Sequence, residues 1–277
     1  MKILITGANG YIGKHVVSAC QNAGLETYIV DRKDRAPLTV DGFYKFDVLE
    51  NGGDPKLYDL LGRPDAIIHL AWQDGFNHKA DSHIINLPKH YIFLKNMIDS
   101  GCKILSVMGS MHEVGYHEGE INSETPCNPM SLYGIAKNAL RQAILTYAEN
   151  KDVRIKWLRG YYITGDDRNN HSIFSKILEM SQNGQKSFPF TSGTNKYDFL
   201  DIKDVAQQIV TATLDDNISG VKNICSGKPV SLKEKVEQFI QDNKLDIVPE
   251  YGRFPTRKYD SPAIWGYPDI IKHGESR

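Results

Sequence analysis

Cysteine is scarce in this chain of 277 residues, and its positions exclude two classes of protein. The four residues Cys20, Cys102, Cys127 and Cys225 are scattered, and none forms part of a Cys-x-x-Cys pair. Disulfide scaffolds and zinc sites need several closely spaced cysteines, so neither is expected. We predict reduced thiols, mostly small core residues of a cytoplasmic protein.

Long apolar runs and an excess of one charge are also missing. No apolar run reaches the roughly 18 residues of a membrane-spanning helix. Lys plus Arg number 33 and Asp plus Glu number 34, which gives a net charge of −1. Non-specific binding to a polyanion needs a surplus of basic residues. The segment MKILITGANGYIG also lacks the features of a secretory signal. We expect a soluble protein with neither a nucleic-acid nor a membrane partner.

Short apolar runs alternate with helical patterns through the first half of the chain. Strands that are nearly continuous in apolar residues and separated by helices are typical of a parallel sheet covered on both faces. The predicted fold class is therefore α/β with a doubly wound parallel sheet. The predicted strands are Lys2–Thr6, Leu25–Val30, Phe43–Val48, Ala66–Ala71, Lys103–Val107 and Val153–Leu158, and the helices are Ile12–Ala23, a stretch ending near Ser100 and Ser131–Asn150.

The pattern loosens after about Gly165, where Pro-, Gly- and aromatic-rich loops separate shorter elements. We predict that residues 1–165 form the sheet domain and that residues 166–277 mostly form a smaller lobe. Residues of about 195–225 are expected to return to the sheet. The predicted helices here are Ser172–Asn183, Lys203–Leu214 and Ser231–Lys244, and the strands are Tyr197–Leu200 and Val221–Ile224.

Three glycines follow the first strand with the spacing Gly-x-x-Gly-x-x-Gly, at Gly7, Gly10 and Gly13. A pyrophosphate needs a tight turn from strand to helix, a backbone bare enough for close approach, and a helix N-terminus whose N–H groups face the anion. Asp31, eighteen residues past Gly13, stands where a carboxylate accepts hydrogen bonds from a ribose. These features predict a Rossmann-type dinucleotide site. The basic residues Arg32, Lys33 and Arg35 follow at once and suit a 2′-phosphate, so the choice between NAD and NADP stays open.

Tyr133 and Lys137 are four residues apart at the start of a helical pattern, hence on one face. A nearby ammonium favours the phenolate, so we predict a lowered pKa for Tyr133. With the glycine motif and the string ETPCNPMSLYGIAK ending at Lys137, the chain resembles the extended short-chain dehydrogenase/reductase family from Lys2 to about Asp260. Within it, the chain is similar to the NAD-dependent epimerase/dehydratase group, which acts on nucleotide-activated sugars.

The resemblance implies a role for each matching position. Tyr133 would be the general acid/base and Lys137 would bind the nicotinamide ribose. Ser110, just past the fifth predicted strand, would hydrogen-bond the reacting sugar oxygen. Asp47 and Val48 would hold adenine, and Ala71 would line the nicotinamide side. The cofactor-binding set further includes Gly7, Asn9, Gly10, Tyr11, Ile12, Gly13, Asp31, Arg32 and Leu70.

The segment after Ser110 bears on the reaction. Dehydratases of the group need an adjacent Asp-Glu pair directly after the catalytic Ser or Thr, whereas this chain has Met111 and His112 there, with Glu113 third. The segment GSMHEVGY resembles small reductases of nucleotide-linked 4-keto-6-deoxyhexoses, which predicts an NAD(P)H-dependent 4-ketoreductase, with dTDP as the suggested nucleotide. A 4-epimerase and a non-catalytic dinucleotide sensor are the alternatives.

Further residues are expected at the nucleotide-sugar end of the site. His112 and Glu113 are candidates to touch the sugar, and the full predicted substrate set is Ser110, Met111, His112, Tyr161, Asn170, His171, Lys196 and Arg257. His78, His83 and His90 show no convergent metal-ligand spacing, so we interpret them as surface histidines and predict no metal.

The resemblance also implies a homodimer. The segments Leu87–Ser100 and Ser131–Asn150 would pack against their copies as a four-helix bundle. The candidate contact residues are Ile92, Leu140, Ile144 and Tyr147, with burial in the monomer's own core as the alternative.

Overall fold

The computed structural model describes residues 1–33, 39–167, 170, 172–255 and 260–270, which form an α/β protein. In chain order its elements are β1 (Lys2–Thr6), α1 (Tyr11–Asn22), β2 (Glu26–Asp31), β3 (Gly42–Lys45), α2 (Leu57–Leu60), β4 (Ala66–His69), α3 (Ser82–Asp99), β5 (Ile104–Ser110), a 3₁₀ turn (Met111–Glu113), β6 (Gly119–Ile121), α4 (Leu132–Ala148), β7 (Arg154–Gly160), β8 (Tyr162–Thr164), α5 (Ile173–Gln182), β9 (Ser187–Pro189), β10 (Lys196–Asp201), α6 (Ile202–Leu214), β11 (Gly220–Ile224), β12 (Pro229–Ser231), α7 (Leu232–Asp242), β13 (Val248–Glu250) and β14 (Ala263–Gly266).

The main sheet is parallel and seven-stranded, in the order β11-β7-β5-β4-β1-β2-β3. The chain builds outward from β1 to β3, then returns to the other side of β1 with β4. This reversal confirms the predicted doubly wound sheet. In open α/β sheets, ligands bind at the carboxyl ends of the strands beside such a reversal, which here lies between β1 and β4.

Helices cover both faces of this sheet and bury its apolar residues. Helices α1 and α6 pack on one face around Val16, Val17 and Ile209. Helices α3 and α4 pack on the other around Phe93 and Leu140. Burying such a side chain contributes roughly 1.5–3 kcal/mol, so two apolar layers hold the sheet rigid under the site. No helix in the described ranges is both long enough and apolar enough to cross a bilayer.

A second, mixed sheet joins β12, β10, β14 and β6, with β8 alongside β10. Buried Asp198 of β10 accepts hydrogen bonds from the backbone N–H groups of Ser226 and Gly227 at 2.8 and 2.9 Å, and of Gly266 at 3.2 Å. It therefore ties β10 to the turn that follows β11. Strand β11 belongs to the main sheet, so the chain returns to that sheet after residue 165. The division into two domains near residue 165 stays a prediction.

Two strand boundaries differ from those predicted in ways that affect the site. Strand β5 extends to Ser110, three residues beyond the predicted end, because all seven of its residues are buried between β4 and β7. Strand β3 ends at Lys45, so Asp47 and Val48 lie in the turn that follows it. The carboxyl edge of the sheet thus carries Ser110 on a strand and Asp47 on a loop.

Candidate active site

The glycine loop, Gly7–Gly13, joins β1 to α1. Gly7 has a φ of +70°, and a Cβ there would lie 2.6 Å from the backbone nitrogen of Ala71. A Cβ on Gly13 would lie 2.1 Å from the carbonyl oxygen of Gly7. Gly10 is exposed, caps α1, and would meet only the Gly7 oxygen, at 3.1 Å. Gly7 and Gly13 are therefore required by the turn itself, while Gly10 keeps the helix N-terminus bare.

Asp31 ends β2 beside this loop. Its carboxylate accepts hydrogen bonds from the Asn9 side chain at 2.6 Å and from the backbone N–H of Lys33 at 3.0 Å. Arg32 and Lys33 are exposed, and Arg35 lies outside the described residues. The Asn9 contact fixes the Asp31 carboxylate next to the N-terminus of α1, where the resemblance expects a ribose.

The other residues predicted near the cofactor also serve the protein's own structure. The Asp47 carboxylate accepts from the backbone N–H groups of Leu49 and Glu50 at 3.0 and 3.2 Å, and Val48 is buried in the core. The Ala71 N–H donates to the Thr6 hydroxyl at 3.2 Å. The structure places these residues at the carboxyl edge of the sheet, with the Asp47 side chain occupied by its own turn.

A cleft of about 1850 Å³ runs from the glycine loop to Tyr133 and on towards β10. Typical small-molecule sites measure about 300–1,000 Å³, so this cleft has room for more than one drug-sized ligand. It brings together the following predicted residues: Gly7, Gly10, Tyr11, Ile12, Gly13, Leu70, Ser110, His112, Tyr133, Lys137, Tyr161 and Asn170.

Ser110, Tyr133 and Lys137 converge on the floor of this cleft. Helix α4 begins at its N-cap Ser131, whose hydroxyl accepts from the Gly134 N–H at 3.1 Å, and this puts Tyr133 in the first turn. The Ser110 and Tyr133 side chains both line the cleft, and the Ser110 hydroxyl acts on the phenol to lower its pKa. Lys137 is buried, donates to the Met108 carbonyl at 2.7 Å and lies 3.7 Å from the Trp72 ring centroid.

The predicted lowering of the Tyr133 pKa is wrong for this arrangement. Burial raises the pKa of Tyr133 to about 12, and Ser110 offsets only part of that rise. The Lys137 ammonium lies over Trp72, 5.9 Å from the Tyr133 ring centroid. Burial also lowers the pKa of Lys137 to about 7, against a smaller opposing effect of Glu113. At neutral pH, Tyr133 is thus a protonated phenol.

Glu113 does not face the cleft, which corrects the prediction that it touches a sugar. It is fully buried, and one carboxylate oxygen accepts from the Ser110 N–H at 2.7 Å and the Trp157 indole N–H at 2.9 Å. The other lies 3.5 Å from both Arg141 and Arg159. Glu113 therefore fixes the backbone of Ser110 from behind, with its charge balanced by two arginines.

The interpretation of His78, His83 and His90 as surface residues is wrong. His83 and His90 are each 1% exposed, and His78 is half-buried. The reason is Trp72, which sequence reasoning missed: its ring stacks on His90 at 4.4 Å and donates to His83 at 3.0 Å. Among the described residues, no group of three or more His, Cys, Asp or Glu side chains is arranged to hold a metal ion.

Four aromatic rings surround Tyr133, and we call them the aromatic wall: Trp72, His78, His83 and His112. His78 stacks parallel to the Tyr133 ring, at 4.8 Å and 11°. The sequence could have indicated this wall, because Trp72 and His78 lie in the loop that follows β4 at the carboxyl edge of the sheet.

The predicted substrate contacts divide into three groups. His112, Tyr161 and Asn170 line the cleft. Met111 packs in an apolar cluster with Val114 and Ile121. Lys196 is exposed, while its neighbours Asn195 and Tyr197 line the cleft. Alternation along β10 explains Lys196, since successive side chains of a strand point to opposite faces. His171 and Arg257 lie outside the described residues.

Comparisons with known proteins agree with this geometry. Residues 3–225 match the model of the NAD dependent epimerase/dehydratase family. The chain is 47% identical over 270 residues to a dTDP-6-deoxy-L-talose 4-dehydrogenase (NAD(+)) of Aggregatibacter actinomycetemcomitans, covering 96% of this chain and 99% of that one. It is 25% identical over 268 residues to a GDP-6-deoxy-D-mannose reductase of Pseudomonas aeruginosa, covering 91% and 84%. A UDP-glucose 4-epimerase of Thermotoga maritima shares the fold, with a TM-score of 0.80 and 22% identity over 97% of this chain and 90% of that one. The protein belongs to the NAD-dependent epimerase/dehydratase family.

Proposed function

We propose that this protein is an NAD-dependent oxidoreductase that interconverts the 4-keto and 4-hydroxyl forms of a dTDP-linked 6-deoxyhexose. The 47% identity along nearly the whole of both chains to a dTDP-6-deoxy-L-talose 4-dehydrogenase carries this proposal. Ser110 and Tyr133, side by side on the cleft floor, supply the matching chemistry.

The glycine loop and Asp31 fit the dinucleotide. Gly10 leaves the N-terminus of α1 bare for a pyrophosphate, and the anchored Asp31 carboxylate suits two ribose hydroxyls better than a 2′-phosphate. This supports NAD over NADP. When bound, the cofactor supplies or accepts a hydride, and Lys137 would hold its nicotinamide ribose.

In the reduction, the chain's own residues donate one proton and hold the sugar O4 in place. Tyr133, protonated at neutral pH because burial raises its pKa to about 12, donates its phenolic proton to the sugar O4 as C4 is reduced. Ser110, fixed through Glu113, hydrogen-bonds the same oxygen. The products are a C4 alcohol and a phenolate, which is reprotonated before the next turnover. The oxidation reverses these steps.

The substrate end of the cleft supports a nucleotide sugar. His112, Tyr161 and Asn170 line it next to the reacting floor, and we propose them as sugar and diphosphate contacts. A 4,6-dehydratase reaction is not favoured, because it needs two free carboxyl groups beside the sugar. The Glu113 carboxylate is held by Ser110, Trp157 and two arginines.

The test incubates the protein with dTDP-6-deoxy-L-talose and NAD⁺ and follows absorbance of the reduced nicotinamide. We expect stoichiometric NADH formation, and NADH consumption when the 4-keto product is supplied instead. NADP⁺ serves as the cofactor control and dTDP-L-rhamnose, the C4 epimer, as the sugar control. Conversion of one epimer to the other with no net change in NADH would replace this proposal with a 4-epimerase.

We also propose that the protein is a homodimer that pairs through α3 and α4. Ile85 and Ile92, seven residues apart on one face of α3, are 62% and 46% exposed, and Ile135 of α4 is 42% exposed. Of the candidate contact residues, Leu140 and Ile144 are fully buried in the core, which is the alternative that the sequence left open for them.

The oligomeric state is tested by light scattering of the parent and of an Ile85→Asp/Ile92→Asp variant. We expect a dimer that becomes a monomer. Leu60→Asp, at an exposed leucine outside α3 and α4, is the control and should stay dimeric. A monomeric parent would refute the dimer.

A further inference from the structure

His78 makes two separate contacts with Tyr133, one through its side chain and one through its backbone. The two rings are parallel, with centroids 4.8 Å apart and planes 11° apart. The other members of the aromatic wall meet Tyr133 at steep angles, between 62° and 82°. His78 is therefore the one member of the wall that covers a face of the Tyr133 ring.

The backbone contact explains why His78 stays in place. The N–H of Tyr133 lies in the first turn of α4, where backbone donors have no partner within the helix. The His78 carbonyl accepts this N–H at 3.2 Å, while the Ser131 hydroxyl accepts the N–H of Gly134. The loop after β4 thus helps to cap α4 at the residue whose side chain His78 covers.

The His78 ring is also held from a second side. The His112 ring meets it edge-on, with the centroids 4.3 Å apart. Burial and His83 lower the pKa of His78, and burial lowers that of His112 to about 3. Both imidazoles are neutral at pH 7, so they constrain Tyr133 by contact without adding a charge beside the phenol.

We propose that His78 is the positioning residue of Tyr133: its stacked ring and capping carbonyl keep the phenol hydroxyl at Ser110, where the sugar oxygen must receive a proton. The inference rests on the proposed function. Reacting groups must be aligned closely, and small displacements cost large factors in rate. A stacked ring prevents the phenol from swinging towards the loop after β4, while Ser110 lies at its hydroxyl end.

Two substitutions separate the ring contact from the rest of the residue. His78→Ala removes the stacked ring and keeps the backbone carbonyl, and we expect kcat to fall about 10- to 100-fold with KM within about twofold. His78→Phe restores an aromatic face and should bring kcat back to within about threefold of the parent. His117→Ala, on the loop before β6, is the matched histidine control and should leave both constants unchanged.

A spectroscopic signature tests the contact without turnover. With ¹³C-labelled tyrosine, the Tyr133 ring signal is the one that disappears in Tyr133→Phe. The ring current of His78 should displace this signal in the parent, and His78→Ala should move it, while His78→Phe keeps it displaced and His117→Ala leaves it unchanged.

The outcomes distinguish the two proposals. A parent that fails to turn over the sugar defeats the proposed function, and the Tyr133 signal still decides the positioning of the ring. An unmoved Tyr133 signal in His78→Ala overturns the inference, as does an active parent whose His78→Ala variant keeps parental kcat. A raised KM at parental kcat in that variant also overturns it, because His78 would then contact the substrate alone.

Discussion

The glycine loop and the aromatic wall line different parts of one cleft, and they are built in different ways. The glycine loop uses backbone: Gly7 and Gly13 are bare because neighbouring main-chain atoms leave no room for a Cβ. The aromatic wall uses side chains that come from the loop after β4, the start of α3 and the turn after β5. One region depends on where side chains are absent and the other on how they stack.

Substitutions in the two regions should therefore affect different properties of the protein. A change at Gly7 or Gly13 alters the turn that joins β1 to α1, so it affects folding as well as binding, whereas a change at exposed Gly10 affects binding alone. A change in the aromatic wall displaces a reacting group and leaves the turn and the strands intact. The two regions should therefore separate in experiments that measure stability, cofactor affinity and kcat on the same variants.

The largest effect on kcat is expected at Tyr133, the proton donor of the proposed reaction. Tyr133→Phe removes the proton and keeps the stacked ring, so kcat should fall by about 10²–10⁴-fold, the usual contribution of general acid catalysis. NADH affinity, measured by fluorescence, and KM should change little. Tyr116→Phe, at a tyrosine that is 47% exposed, is the control. Near-parental kcat in Tyr133→Phe would rule out its role as the proton donor.

The next effect concerns Glu113, which supports Ser110 without facing the cleft. Glu113→Gln keeps the size of the side chain but leaves Arg141 and Arg159 with no balancing carboxylate. Breaking a buried ion pair in this way typically costs about 3–5 kcal/mol of unfolding free energy, and urea denaturation measures it. Glu118→Gln, at an exposed position, should stay within about 0.5 kcal/mol of the parent. Equal stability of the two variants would contradict the buried network.

A matched pair of glycine substitutions tests the loop itself. Gly13→Val should destabilise the protein by roughly 3 kcal/mol, the upper end of the cost of overpacking, because its Cβ would meet the Gly7 backbone. Gly10→Val should remain within about 1 kcal/mol in stability. It should nevertheless weaken NADH binding at least about tenfold, or about 1.4 kcal/mol, because it fills the bare N-terminus of α1. Parental affinity in Gly10→Val would reject the loop as the pyrophosphate site.

The sequence predicted those parts of the fold and the site that depend on local patterns, and it missed those that depend on contacts between distant residues. The glycine spacing, Asp31 and the Tyr133–Lys137 pair are local patterns whose geometry follows from one turn or one helix face, and they predicted the fold and the cleft floor. Glu113 and His78 act through contacts with residues distant in sequence, such as Arg159 and Tyr133, and no periodicity reports such packing. The pKa of Tyr133 was predicted in the wrong direction for this reason: burial, which depends on the assembled cleft, raises it and outweighs the opposing effect of Ser110.

The smallest effect is a pH dependence of stability beneath the aromatic wall. His69 is buried between Thr6 at 2.8 Å and His90 at 2.9 Å, and His90 in turn stacks on Trp72. Burial lowers the pKa of His69 from 6.5 to about 3. In the unfolded chain His69 therefore binds a proton below about pH 6.5, whereas in the folded chain it binds one only below about pH 3. Stability must fall as pH falls through this window, because the unfolded state binds more protons.

For His69 alone, the unfolding free energy should drop by about 1.4 kcal/mol between pH 7.5 and pH 5.5. Urea denaturation at these two pH values measures the drop in the parent and in His69→Gln, which cannot titrate. The comparison uses the difference between pH values within each protein, so the destabilisation caused by the substitution itself cancels. The parent should lose about 1.4 kcal/mol more than the variant over this interval. Equal losses would mean that His69 is protonated in the folded protein, and the buried neutral pair with His90 beneath Trp72 would have to be abandoned.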